Sequence, residues 1–100
     1  MKKLFLLIFL FPVFSVLAQE KEVLTKLDAK ADFYGDLARQ IWSNPELGYL
    51  ETKSSQLLQK TLSDAGFKVT AGVAGIPTAF VAEYGSGKPV IGIMAEFDAL

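Results

Sequence analysis

The 100-residue chain has no cysteine and no histidine. Without cysteine there is no disulfide, no thiolate ligand and no site for lipid attachment at a lipobox. Without histidine there is no imidazole to bind a metal or relay a proton. Hydrolytic zinc or manganese centres take three or more ligands, often including imidazole. No nucleophile–base pair replaces them, so this polypeptide as written cannot complete a recognised hydrolase site. Positive charge is also scarce. Ten Lys and Arg stand against eleven Asp and Glu, with no basic stripe to recruit nucleic acid by counterion release.

What is present begins with an export signal. Lys2 and Lys3 precede an apolar run from Leu4 to Phe14, and Val16-Leu17-Ala18 supplies small or apolar residues before a cut after Ala18. This is the plan of a secretory signal peptide. A membrane anchor is the alternative, but Leu4 to Ala18 is short for a span of ~20 residues and Pro12 interrupts it. The expected organisation is a signal peptide over 1–18 and an incomplete domain over 19–100, exported to the periplasm or beyond it. The mature part carries eight basic and eleven acidic residues. A domain of that size buries only ~60–65% of its unfolded surface and has no staple. It reads as the N-terminal piece of a longer protein.

The expected fold class is α/β, with two helices followed by strands of a mixed sheet. Val23, Leu24, Leu27, Ala31, Tyr34, Leu37, Ala38 and Ile41 recur at helical spacing, predicting one amphipathic helix from Glu22 to Trp42. Asn44-Pro45 ends it. Leu57, Leu58, Thr61, Leu62 and Ala65 predict a second helix over 52–65, with Gly66 as its left-handed terminator. From Phe67 the period changes to two, giving a strand over 67–71. A loop over 72–77 leads to a strand over 78–84. Gly85-Ser86-Gly87-Lys88-Pro89 then turns into a third strand over Val90–Ala95, expected to pair with the second as an antiparallel hairpin.

Gly85-Ser86-Gly87-Lys88 is not a phosphate loop, because Pro89 and a strand follow where Ser or Thr and a helix are needed. Trp42 to Gly48 reads as a helix stop with Trp42 and Leu47 packed on the core. Glu46 and Glu51 could support a site through hydrogen bonds. Glu96 and Asp98 are the sharper candidates. They lie two apart at the carboxyl end of a strand, on one face, where sites collect in open α/β sheets. Paired carboxylates repel unless a metal, a cation or a proton lies between them. The bland alternative is one solvated carboxylate and one that caps the next turn.

Together these segments resemble the start of the peptidase M20 family of metal-dependent amidohydrolases. The matching stretches are Ile41-Trp42-Ser43-Asn44-Pro45-Glu46-Leu47-Gly48, Glu51, and Ala65-Gly66-Phe67-Lys68-Val69. Gly72 to Phe80, Gly85 to Ile91, and Glu96-Phe97-Asp98-Ala99-Leu100 follow in order. Gly75-Ile76-Pro77-Thr78-Ala79-Phe80 favours the aminobenzoyl-glutamate branch over the auxin-conjugate branch. The resemblance implies a catalytic domain with a mixed sheet and a smaller inserted domain for homodimerisation. It implies two zinc or manganese ions, a bridging water made nucleophilic by metal, and a small amide substrate such as an N-acyl amino acid or a dipeptide. It also implies a role for Asp98, that of orienting a metal ligand. In many members a metal-binding His lies two positions earlier, where this chain has Glu96. In this branch the ligands resemble a Cys, His and Glu set further along the chain, so none is expected here. The competing expectation is a truncated, non-catalytic exported protein.

Overall fold

The computed structural model describes residues 20–97. The proposed signal peptide and Asp98 lie outside the described residues. The chain divides into two units, residues 1–36 and 37–100, and each is treated by itself.

In the first unit, residues 20–28 are helical (α1). A turn at Ala29–Lys30 precedes α2, Ala31–Trp42, which begins in the first unit and ends in the second. The single helix expected over Glu22–Trp42 is therefore two. At the break, the Lys30 N–H donates to the Leu27 carbonyl at 3.0 Å, a tightened three-residue turn in place of the α-helical bond. The break does not fall at Gly35, which lies inside α2. On α1, Lys26 Nζ meets Glu22 Oε1 at 2.6 Å, both well exposed. Among the described residues no helix is long and apolar enough to cross a membrane.

In the second unit, α3 spans Thr52–Asp64, close to expectation. It ends at Gly66, whose φ of 91° an L side chain rarely adopts. There the Gly66 N–H donates to Ser63 O at 2.9 Å and the Phe67 N–H to Leu62 O at 3.0 Å. This double bond pattern satisfies carbonyls that the helix end would orphan. Strand β1, Lys68–Ala71, follows at once. A left-handed Gly72 and a short irregular turn over Val73–Gly75, in which Ala74 and Gly75 also have positive φ, lead to β2, Phe80–Glu83. The strands are antiparallel, with Lys68 opposite Glu83, Val69 opposite Ala82, Thr70 opposite Val81 and Ala71 opposite Phe80. Val69, Phe80 and Ala82 are half-buried on one face, and Leu57, Leu58, Thr61 and Leu62 of α3 are half-buried too. Tyr84 stacks on Phe67 at 5.0 Å between centroids. The arrangement is α/β, helices followed by a two-stranded antiparallel sheet.

Three further expectations are corrected. The second strand pairs with the first, and Val90–Ala95 forms no strand. A strand exists only where its N–H and C=O groups find a ladder, and an apolar run alone does not provide one. Val90, Ile91, Ile93 and Met94 are 82–95% exposed. Trp42 and Leu47, expected in the core, are also exposed, at 78% and 67%. Among the described residues no apolar residue is buried; the buried ones are Ser54, Ser55 and Thr78. The best-buried point of this unit is polar.

Candidate functional site

That polar point lies at the N-terminus of α3. The first amides of a helix have no internal partner, and here the N-cap residue, Glu51, gives no side-chain cap to the helix. Glu46 does this work from the preceding connector. Its Oε1 accepts from the Lys53 N–H at 3.0 Å, and its Oε2 accepts from the Ser54 N–H at 2.9 Å and the Ser54 hydroxyl at 3.0 Å. A carboxylate at this end also meets the favourable end of the helix dipole. The amides of Lys53 and Ser54 chiefly hold the Glu46 carboxyl below its ordinary value, with smaller help from the Ser54 hydroxyl and the Lys53 charge.

Glu51 faces the other way. Its Oε1 accepts from the Tyr49 N–H at 2.9 Å, stabilising a turn in which Tyr49 has a φ of 65°. Its Oε2 accepts from the Thr78 hydroxyl at 2.9 Å, across 27 residues of chain. Its own amide chiefly holds this carboxyl below the ordinary value, and Thr78 and Tyr49 add to the effect. Partial burial and the Glu46 charge oppose it. The Thr78 carbonyl accepts from the buried Ser55 hydroxyl at 2.6 Å, and Ser55 Oγ accepts from Gln59 Nε2 at 2.8 Å. Thr78 is thus held at both its hydroxyl and its carbonyl.

The sequence offered Glu46 or Glu51 as a residue able to support a site through hydrogen bonds; in the structure both accept hydrogen bonds, Glu46 from the start of α3 and Glu51 from Tyr49 and Thr78. It missed Ser54, Ser55 and Thr78. Two serines in a helical pattern look like a solvated face, and no local signal pairs Glu51 with Thr78. Glu96 is exposed, and Asp98 lies outside the described residues. Phe97 packs on Phe80, ring centroids 6.0 Å apart.

The described residues do not fit a divalent ion. All four carboxylate oxygens of Glu46 and Glu51 already accept from N–H or O–H donors, and no three acidic, His or Cys side chains cluster among them. This arrangement fixes backbone at the start of α3 and at the Tyr49 turn.

Comparison with known proteins supplies the class. The chain is a homologue of hydrolases of the amidohydrolase and peptidase kind, as the names of its relatives indicate. It is 46% identical over 74 residues to one of the subunits of p-aminobenzoyl-glutamate hydrolase from Escherichia coli, covering 74% of this chain and 15% of that protein. It is 39% identical over 71 residues to thermostable carboxypeptidase 2 of Saccharolobus solfataricus, covering 69% of this chain and 18% of that protein. Thermostable carboxypeptidase 1 of the same organism is 38% identical over the same shares. The resemblance drawn from the motifs is borne out by these relatives, of whose length the chain spans less than a fifth. No family model matches, and no solved structure matches.

Proposed function

We infer that this chain is the N-terminal portion of an exported metal-dependent amidohydrolase. Its substrate is the amide bond of a small N-acyl amino acid, of the aminobenzoyl-glutamate kind. The observation that carries this is the 46% identity to the hydrolase over three quarters of the chain. Two carboxypeptidase relatives support a neighbouring specificity, the terminal peptide bond of a dipeptide-like substrate. Zinc or manganese is held by residues outside 20–97 and supplies a metal-activated water. Asp98 orients one of those ligands. The full-length protein works as a homodimer, and residues 1–18 deliver it across the inner membrane.

In this reading residues 37–97 are scaffold. Glu46 finishes the start of α3, and α3 supports the β1–β2 hairpin. The test is hydrolysis by the full-length gene product. Purified with zinc or manganese, it should release glutamate from p-aminobenzoyl-glutamate, and a chelator should stop the reaction. Faster release from dipeptides would move it to the carboxypeptidase specificity. No turnover of either class in the metal-loaded protein would refute the reading.

A further inference from the structure

Leu47 to Leu50 make a tight turn, closed by the Leu50 N–H donating to the Leu47 carbonyl at 2.8 Å. Its third residue, Tyr49, has a φ of 65°. Turns that need a positive φ there normally carry Gly or Asn, because in the left-handed region a Cβ crowds the next carbonyl. The chain has a glycine one position earlier, at Gly48, where φ is not positive. A sequence serving the turn alone would place that glycine at 49. Instead the strained residue is a tyrosine, held by its N–H donating to Glu51 Oε1 at 2.9 Å. The other oxygen of Glu51 is fixed by the Thr78 hydroxyl. The arrangement displays apolar surface: Leu47, Tyr49 and Leu50 are 67%, 71% and 64% exposed.

We propose that the Leu47–Leu50 turn is an intramolecular docking surface: Glu51 holds Tyr49 in place so that Leu47, Tyr49 and Leu50 pack on an apolar face of the same polypeptide beyond residue 100. This rests on the reading of the chain as the N-terminal portion of a longer protein, and not on the reaction. Length and burial name the occupant. More than four fifths of each relative lies outside the stretch this chain matches. Among the described residues no apolar residue is buried, so they hold no core of their own for the turn to join. Clustered apolar side chains in water mark a contact surface. The face that meets them is apolar, with a polar atom for the Tyr49 hydroxyl. Glu51 needs both carboxylate oxygens, one for Tyr49 and one for Thr78. An amide offers a single acceptor oxygen, so Glu51→Gln must give up one bond.

The test uses the full-length gene product with the photo-cross-linker benzoylphenylalanine in place of Tyr49. Irradiated in dilute solution, it should cross-link within one polypeptide, to peptides beyond residue 100 identified by mass spectrometry. A cross-linked dimer on a denaturing gel overturns the proposal, because a second copy would then be the cover. No cross-link, or one confined to the first 100 residues, overturns it as well. Glu51→Gln should lower the cross-link yield several-fold, and an unchanged yield overturns the role given to Glu51. Tyr49→Gly, in the same full-length protein, separates docking from turn formation. Glycine relieves the backbone at a positive φ, so a turn facing water should leave the urea midpoint unchanged or raised. Docking of the ring predicts a lowered midpoint, and a midpoint that does not fall overturns the proposal. An inactive wild-type protein would sink the amidohydrolase reading and leave the cross-links to decide this one.

Discussion

Ser55→Ala removes the most buried side chain of the second unit, which is 2% exposed. The hydroxyl donates to the Thr78 carbonyl and accepts from Gln59. An ordinary hydrogen bond contributes ~0.5–1.5 kcal/mol net, and a buried acceptor left unpaired costs ~1–3 kcal/mol. Thr78 is itself 7% exposed, so water does not readily replace Ser55. The Gln59 amide, less enclosed, can turn to solvent and adds little. A local destabilisation of about 2 kcal/mol follows, equivalent to an opening equilibrium raised ~30-fold. Hydrogen exchange reads it directly. The Gly72 amide, bonded to Ala79 O, should exchange ~30-fold faster in Ser55→Ala, and the first turns of α3 should follow. Ser63→Ala, at an exposed position of the same helix, is the control and should change neither. A change in Gly72 exchange of less than twofold in Ser55→Ala would refute the reasoning, because the polar contact would then not hold the loop to α3.

Other perturbations test other parts. Glu46 and Glu51 both have depressed carboxyl values against an ordinary 4.5. Their contribution is complete above that value and is lost as pH falls through the depressed values. The helical circular dichroism should hold from pH 7 to 5 and decline below 4.5, and Glu46→Gln with Glu51→Gln should flatten that decline; an unchanged profile would refute it. Gly66→Ala has room for a methyl, 3.6 Å from the Tyr84 ring, but forces a φ of 91° on an L residue. It should destabilise by ~1–2 kcal/mol in a urea titration, and a neutral result would contradict the helix-stop account. Calorimetry of residues 19–100 with zinc or manganese should show weak binding or none. Tight stoichiometric binding would overturn the assignment of the ligands to residues further along.

Much of the α3–β1 corner was legible because short-range rules decide it. Leu57, Leu58 and Leu62 give the helical face, Gly66 stops it, and Phe67-Lys68-Val69 changes the period. The break at Ala29–Lys30 was not legible, since Asp28-Ala29-Lys30 contains no glycine or proline to mark it. Val90–Ala95 was misread for a different reason. Its composition reports a tendency to be buried as a strand, but strand formation depends on a partner that composition cannot name. The site divides the same way. Glu46 capping α3 is a contact across seven or eight residues, within reach of local reasoning. Glu51 with Thr78 is a contact across 27, and only the packing of the hairpin on α3 reveals it.

The central claim, that this chain begins an amide-cleaving metallohydrolase, meets its most direct test in the coding sequence past the Leu100 codon. The account predicts that it continues in frame and later supplies a Cys-Gly-His stretch and a Glu pair able to hold metal. A stop codon directly after Leu100 would contradict it and leave a truncated product without a site.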